Sequence, residues 1–244
     1  MGWQNDDRNF PANRFVSIAM NVTTVMASAD KQAVKNAVTW IGLCVSLFSM
    51  LVIRQVFHTI SPQADTALAL TREVCMFAAA GVLVWLIRRG ERLPLRSIGI
   101  GASPVWKSLA WGTVIAVACI VPAAGIAMLT GYGHGAASQS FAKLPIWVVF
   151  IVVVRAGVVE ELFYRGYAIE RLQVLGLGRV ASSLVPLAIF SAAHWTGGTT
   201  NALMALVLGG ILTAFYQWRR DLVSNMFGHF LVDFGANVLP ALFA

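Results

Sequence analysis

The sequence predicts an all-α fold, a polytopic bundle of about seven transmembrane helices. Composition supplies the first two observations: 58% of the 244 residues are hydrophobic and only 12% are charged. A water-soluble domain of this length carries about twice that share of charged residues. The third observation is a series of apolar stretches that approach or exceed the ~18–20 residues needed to cross a ~30 Å hydrocarbon core.

The first 36 residues predict a cytoplasmic tail followed by an interfacial segment. Residues 1–14 are polar and mixed in charge. Residues 15–29 are uncharged and moderately apolar, and they end in Ala-Ser-Ala, which is typical of a signal-peptide cleavage site. Asn21, Thr23 and Thr24 interrupt this stretch and two lysines follow it, so a segment lying on the membrane is favoured over a cleaved signal.

Seven apolar stretches predict the transmembrane helices. Their bounds are 38–57, 66–87, 109–129, 144–171, 181–195, 201–218 and 222–243. The predicted organisation is therefore the tail and interfacial segment at 1–36, N-terminal transmembrane helices at 37–143, and a four-helix core at 144–244. Within the third stretch, Pro122 is expected to kink the helix.

Basic residues predict the orientation of these helices. The loop after the second stretch and the ends of the fourth and sixth stretches hold Arg88, Arg89, Arg92, Arg96, Lys107, Arg171, Arg179, Arg219 and Arg220. The opposite loops hold only Arg54 and Lys143. By the positive-inside rule the N-terminus is cytoplasmic and the C-terminus is outside. The net charge of +7 is thus assigned to membrane orientation, and no nucleic-acid partner is expected.

Three ionisable residues close together interrupt the fourth apolar stretch: Glu160, Glu161 and Arg165. Charged groups are costly at bilayer depth, so they are functional candidates. On an α-helix Glu161 and Arg165 are four residues apart and can pair. At ~3.6 residues per turn, Glu160 points about 100° away and faces another part of the bundle.

Two further polar clusters lie in the fifth and seventh stretches. Phe190 precedes His194 by four residues near the end of the fifth stretch. In the seventh, a polar residue recurs every fourth position and draws a stripe down one helical face, at Asn225, His229, Asp233 and Asn237. At ~1.5 Å of rise per residue, the three helices bring these groups to similar depth, where they can share one pocket.

Together these motifs resemble those of the CPBP family, which comprises the type II CAAX prenyl endopeptidases of eukaryotes and their prokaryotic relatives. The motifs are Glu-Glu-x-x-x-Arg at 160–165, Phe-x-x-x-His at 190–194 and His-x-x-x-Asp at 229–233, and the resemblance covers about residues 144–240. It implies an intramembrane glutamate protease in the inner membrane of a prokaryote. Its substrate would be a membrane-associated peptide or lipid-modified protein, prenylated or otherwise processed at its C-terminus.

The resemblance also implies a role for each motif residue. Glu160 and His194 would activate a water, and His229 with Asp233 would form the oxyanion site. Family members carry Asn or Asp at this position; Asn offers an amide N–H to an oxyanion, whereas an ionised Asp233 only accepts hydrogen bonds. Either Asp233 is protonated, or it orients His229 and leaves that imidazole as the side-chain donor; we favour the second. Glu161 with Arg165 would be the supporting ion pair.

The sequence leaves several alternatives to this interpretation. Metal-free chemistry is expected, but two histidines and two glutamates can also supply a three-ligand zinc site, although no His-Glu-x-x-His is present. Non-catalytic roles are bacteriocin self-immunity or a membrane scaffold, with a small transporter less favoured because no inverted repeat is visible. Arg72, Glu73 and Arg155 are interpreted as structural ion pairs, and Gly209 and Gly210 as sites of close helix packing.

Overall fold

The computed structural model describes residues 12–60, 65–131 and 144–243, and for residues 12–35 only the helical backbone. Across these ranges the chain forms seven helices and no strand. Four of the helices are long and apolar enough to cross a membrane: Asn36–Ile60, Thr66–Gly90, Val105–Thr130 and Thr199–Arg219. The predicted class, a helical membrane bundle, is confirmed.

Apart from the start of the first helix, the helices follow the predicted stretches to within a few residues. The first three are α1 (Ala12–Ile60), α2 (Thr66–Trp85, extended by the π-helical turn Leu86–Gly90) and α3 (Val105–Thr130). Helix α4 begins as Ile146–Arg155, passes through the π-helical segment Ala156–Ile169 and ends as Glu170–Val174. The last three are α5 (Arg179–Ala193), α6 (Thr199–Arg219) and α7 (Leu222–Asp233, continuing through the π-helical turn Phe234–Val238 to Leu239–Leu242).

Helix α1 differs from the predicted division at residue 36. It runs without a break from Ala12 to Ile60, so this boundary lies inside a helix. The side chains of the expected interfacial segment, residues 15–29, and the tail at 1–11 lie outside the described residues. In α3 the helix continues through Pro122.

Helix α4 lies at the centre of the bundle. Every residue of its π-helical segment except Val158 is buried. In contrast, α3 exposes apolar side chains such as Val117, Val121 and Leu129, a surface suited to lipid. The polar side chains of α4 are therefore enclosed by protein, as expected for charged groups at membrane depth.

Glycines bring α7 close to its neighbours. A Cβ added to Gly228 of α7 would lie 2.9 Å from the carbonyl oxygen of Gly112 in α3. One added to Gly157 of α4 would lie 2.8 Å from the carbonyl oxygen of Met226 in α7. Small residues allow helix backbones to approach in this way inside membranes. The close approach places His229, the residue after Gly228, beside α4.

A buried ion pair fastens one end of the bundle. Nε of Arg171 in α4 donates to both carboxylate oxygens of Glu91, at 3.0 and 2.9 Å. The hydroxyls of Tyr167 and Thr39 donate to the same carboxylate, at 2.9 and 3.0 Å. This cluster links α1, the residue following α2, and α4.

Candidate active site

The π-helical segment of α4 decides the surroundings of Glu160. In a π-helix the backbone hydrogen bonds join residues i and i+5, so side chains five apart lie closer to one face than they do in an α-helix. Arg155 immediately precedes the segment, and its Nη1 donates to Oε1 of Glu160. The prediction that Glu160 faces another part of the bundle assumed α-helical spacing and did not anticipate this contact. The available signal was Arg155 itself, a cation within an apolar run.

Arg155 also reaches α2. Its Nε donates to Oε2 of Glu73 at 2.7 Å, and Nε of Arg72 donates to Oε1 of Glu73 at 3.0 Å. The predicted pairing of these three residues within the bundle is confirmed. What the sequence did not indicate is that the pairing extends to Glu160.

Glu161 has a different environment, in which both oxygens are engaged. The predicted ion pair forms, with Nη1 of Arg165 at 2.9 Å from Oε1 of Glu161. The same oxygen lies 2.9 Å from Nδ1 of His229, and Oε2 accepts from Nδ2 of Asn225 at 3.2 Å. The residue is 0% exposed. Glu161 thus serves as a junction between α4 and α7.

Glu160 keeps one oxygen available. Its Oε1 is held by Arg155, whereas Oε2 has no hydrogen-bond partner among the residues that the structure describes. The residue is 5% exposed, so it is buried but keeps a small accessible surface. Among the described residues, Glu160 is thus the one of the two adjacent carboxylates with an oxygen free of hydrogen bonds, and this oxygen can accept a proton from a water.

Arg165 fixes α4 against α6. Its Nη2 donates to the carbonyl oxygen of Gly209 at 3.0 Å. A Cβ on Gly209 would lie 2.9 Å from that nitrogen, so the close packing predicted at this glycine is confirmed. At Gly210 a Cβ would meet only Leu187, at 3.9 Å. Close packing therefore concerns one of the two glycines.

The ring of Phe190 brings the three motifs together. The guanidinium carbon of Arg165 lies 4.5 Å from its centroid. The imidazole centroids of His194 and His229 lie 4.6 and 6.5 Å away. Residues from α4, α5 and α7 thus line one site, as the depth comparison predicted.

His194 is held by the backbone of its own helix. Its Nδ1 lies 2.7 Å from the carbonyl oxygen of Phe190, which can only accept, so Nδ1 carries the proton. The other nitrogen, Nε2, then has a lone pair in the neutral ring. This tautomer suits a proton acceptor.

His229 lies between two carboxylates. Its Nδ1 contacts Glu161 at 2.9 Å, while its Nε2 is 3.6 Å from Oδ2 of Asp233, beyond a hydrogen bond. The expectation that Asp233 orients this ring considered only residues of the same helix. The closer orienting partner is Glu161, on another helix.

A metal site was the chemical alternative to this arrangement. Among the described residues, no three His, Cys, Asp or Glu side chains converge closely enough to hold a metal ion. The second-motif histidine has its Nδ1 on a carbonyl, and the third-motif histidine has its Nδ1 on a carboxylate. Nδ1 of each histidine is therefore engaged within the protein.

Comparison with protein families identifies the part of the chain that carries this site. Residues 142–235 match the family model described as type II CAAX prenyl endopeptidase Rce1-like. The match covers 94 of the 244 residues, and this part is similar to the Rce1-like family. No curated protein and no solved structure matches the chain.

The Rce1-like segment contains all three motifs, and its extent agrees with the predicted 144–240. The Rce1-like family is one of CAAX-type intramembrane proteases, so at the family level this is a membrane protein with a protease-type domain. Helices α1 to α3 lie outside the matched residues, although α2 supplies Glu73 to the ion pairs of the site.

Proposed function

We propose that this chain is an intramembrane endopeptidase that uses Glu160 as general base. The observation that supports this most directly is the difference between the two carboxylates. Glu161 has both oxygens engaged, whereas Oε2 of Glu160 is unpartnered among the described residues. A general base needs an oxygen within reach of the proton that it removes.

The proposed reaction begins with a water held between Oε2 of Glu160 and Nε2 of His194. Glu160 takes a proton from the water, and the water oxygen forms a bond to the carbonyl carbon of the peptide. The carbonyl π electrons move onto its oxygen and give an oxyanion. The oxyanion electrons then re-form the C=O bond, the C–N bond breaks, and the proton on Glu160 passes to the leaving amine. A positioned base of this kind contributes ~10²- to 10⁴-fold in rate.

His229 is the proposed donor to the oxyanion. His229 lies between the carboxylates of Glu161 and Asp233, which favour a doubly protonated imidazole. Such a ring donates from both nitrogens. Its Nδ1 is engaged by Glu161, while the 3.6 Å gap between Nε2 and Asp233 leaves the second N–H available to substrate. One such donor contributes about 10²- to 10³-fold in rate.

The proposed substrate is a membrane-associated peptide or protein, prenylated or otherwise processed at its C-terminus. The bilayer is the second partner, since α2 and α6, which contact the site through Glu73 and Gly209, are long and apolar enough to span a membrane. We place the protein in the inner membrane of a prokaryote, with its N-terminus in the cytoplasm.

The test uses purified full-length protein in detergent and a quenched fluorogenic peptide with a farnesylated cysteine near its C-terminus. Wild type should cleave it, and Glu160→Gln and His194→Ala should each lose about 10²-fold or more. His58→Ala, on an exposed histidine at the end of α1, is the matched control and should keep full activity.

Two results would overturn this proposal. Full turnover by folded Glu160→Gln would contradict the assignment of the base. Activity lost on chelation and restored only by zinc would indicate a metalloprotease. If the farnesylated probe is not cut, mass spectrometry of membranes with and without the protein should still show a substrate with a changed terminus.

A further inference from the structure

A chain of alternating charges leads from the edge of α2 to Glu160. It runs from Arg72 to Glu73, then to Arg155 and Glu160. Glu73 is only 1% exposed, and its two oxygens are divided between the two arginines. Burying a carboxylate costs free energy of folding unless it is paired, so a buried Glu73 indicates a specific role in the bundle. It also lies outside the Rce1-like segment.

We infer that Glu73 is a positioning residue for the proposed base, acting through Arg155. This inference rests on the proposed function of Glu160. Glu73 engages Nε of Arg155 at 2.7 Å, which leaves Nη1 to bond to a single oxygen of Glu160. The other oxygen of Glu160 remains available for the water.

The geometry of the guanidinium explains why Glu73 is needed. A guanidinium whose N–H groups have no other partner prefers a bidentate pairing with a carboxylate, in which each carboxylate oxygen accepts an N–H. Without Glu73, Arg155 is free to turn and engage both oxygens of Glu160. Proton removal would then suffer while substrate binding stays unchanged.

A purely structural role is the competing interpretation, because the pair also joins α2 to α4. The chain contains a matched control for that role. Glu91 is a second buried carboxylate held by a buried arginine, Arg171, with contacts of 2.9 and 3.0 Å. The Glu91–Arg171 pair likewise joins the end of α2 to α4 by a buried ion pair. Within the described part of the chain, Glu91 forms no hydrogen bond to a residue of the three motifs.

The experiment compares Glu73→Gln with Glu91→Gln in the full-length protein, using the farnesylated fluorogenic peptide. Glu73→Gln should lower kcat by about tenfold or more, a part of the ~10²–10⁴ that a general base supplies, with KM within about twofold. Glu91→Gln should lower the melting temperature and keep kcat per folded molecule. If Glu73→Gln does not fold, Glu73→Asp is measured in its place and should show a smaller loss of kcat.

A second comparison tests whether Glu73 acts through Arg155. Arg155→Lys keeps the charge but removes the planar fork, so adding Glu73→Gln to it should change kcat much less than in wild type. Three results would each overturn this inference while leaving the proposed function intact. They are an equal loss of kcat on adding Glu73→Gln to Arg155→Lys, a wild-type kcat for Glu73→Gln in the otherwise unchanged protein, and an equal loss of kcat for Glu91→Gln. Turnover that does not depend on Glu160 would overturn the proposed function and this inference with it.

Discussion

Nδ1 of His229 lies 2.9 Å from Oε1 of Glu161, and this contact joins the third motif to the first. Oε1 of Glu161 therefore has two partners, because Nη1 of Arg165 also donates to it at 2.9 Å. The two adjacent glutamates consequently have separate tasks. Glu161 organises the site, and Glu160 carries the proposed chemistry.

The first prediction concerns stability. Glu161→Gln and Arg165→Ala should each lower the free energy of unfolding by ~3–5 kcal/mol, because each leaves a buried charge without its partner. Glu160→Gln should cost less, since Arg155 keeps its contact with Glu73. Thermal unfolding in detergent measures all three variants beside wild type. A larger loss for Glu160→Gln than for Glu161→Gln would contradict this division.

A second prediction uses neighbouring glycines in α6. Gly209→Ala should destabilise the protein by ~1–3 kcal/mol, the usual cost of overpacking. The added Cβ would lie 2.9 Å from Nη2 of Arg165 and 3.0 Å from a methyl of Leu187. Gly210→Ala is the control and should be nearly neutral, because its Cβ would meet only Leu187, at 3.9 Å. Equal melting temperatures for the two variants would show that Arg165 does not require this close approach.

The third prediction concerns orientation. A reporter fused after Ala244 should report the outside of the cell, and a cysteine placed beside Arg89 should react only from the cytoplasm. The reason is the concentration of basic residues in the loop between α2 and α3. Labelling with a membrane-impermeant reagent, before and after lysis, measures this. The reverse pattern would invalidate the positive-inside assignment.

The sequence predicted the fold class and the meeting of the three motifs for a physical reason. Charged and polar residues in apolar stretches must be enclosed together, and Phe190 is the ring on which they meet. Periodicity did not predict the π-helical segment of α4, because spacing of 3.6 residues is assumed when a helix is drawn from sequence. That assumption hid the contact of Arg155 with Glu160.

Contacts between helices were equally hidden. The pairing of His229 with Glu161 joins residues 68 positions apart. A sequence shows neighbours four residues apart on one helix but not which helix faces which, so the carboxylate partner assigned to His229 was Asp233. Identifying Glu161 as the closer partner required the packing of α4 against α7, which Gly157 permits.

This packing leads to the last prediction, Asp233→Asn. Because Glu161 orients His229 at 2.9 Å, losing the carboxylate 3.6 Å from Nε2 should leave the ring in place. The substitution removes a negative charge from beside the proposed oxyanion and supplies an amide N–H. We therefore expect kcat at or above the wild-type value, up to about tenfold higher, a fraction of the ~10²–10³ that one oxyanion donor contributes.

The measurement is kcat and KM on the farnesylated peptide, with Asp233→Ala beside Asp233→Asn. Asp233→Ala removes the charge without adding a donor, so it should fall below Asp233→Asn and close to wild type. A drop of about tenfold or more in both variants would mean that Asp233 itself orients His229. In that case Glu161 would hold the ring only in part, and the oxyanion site would depend on the His229–Asp233 pair that the sequence first indicated.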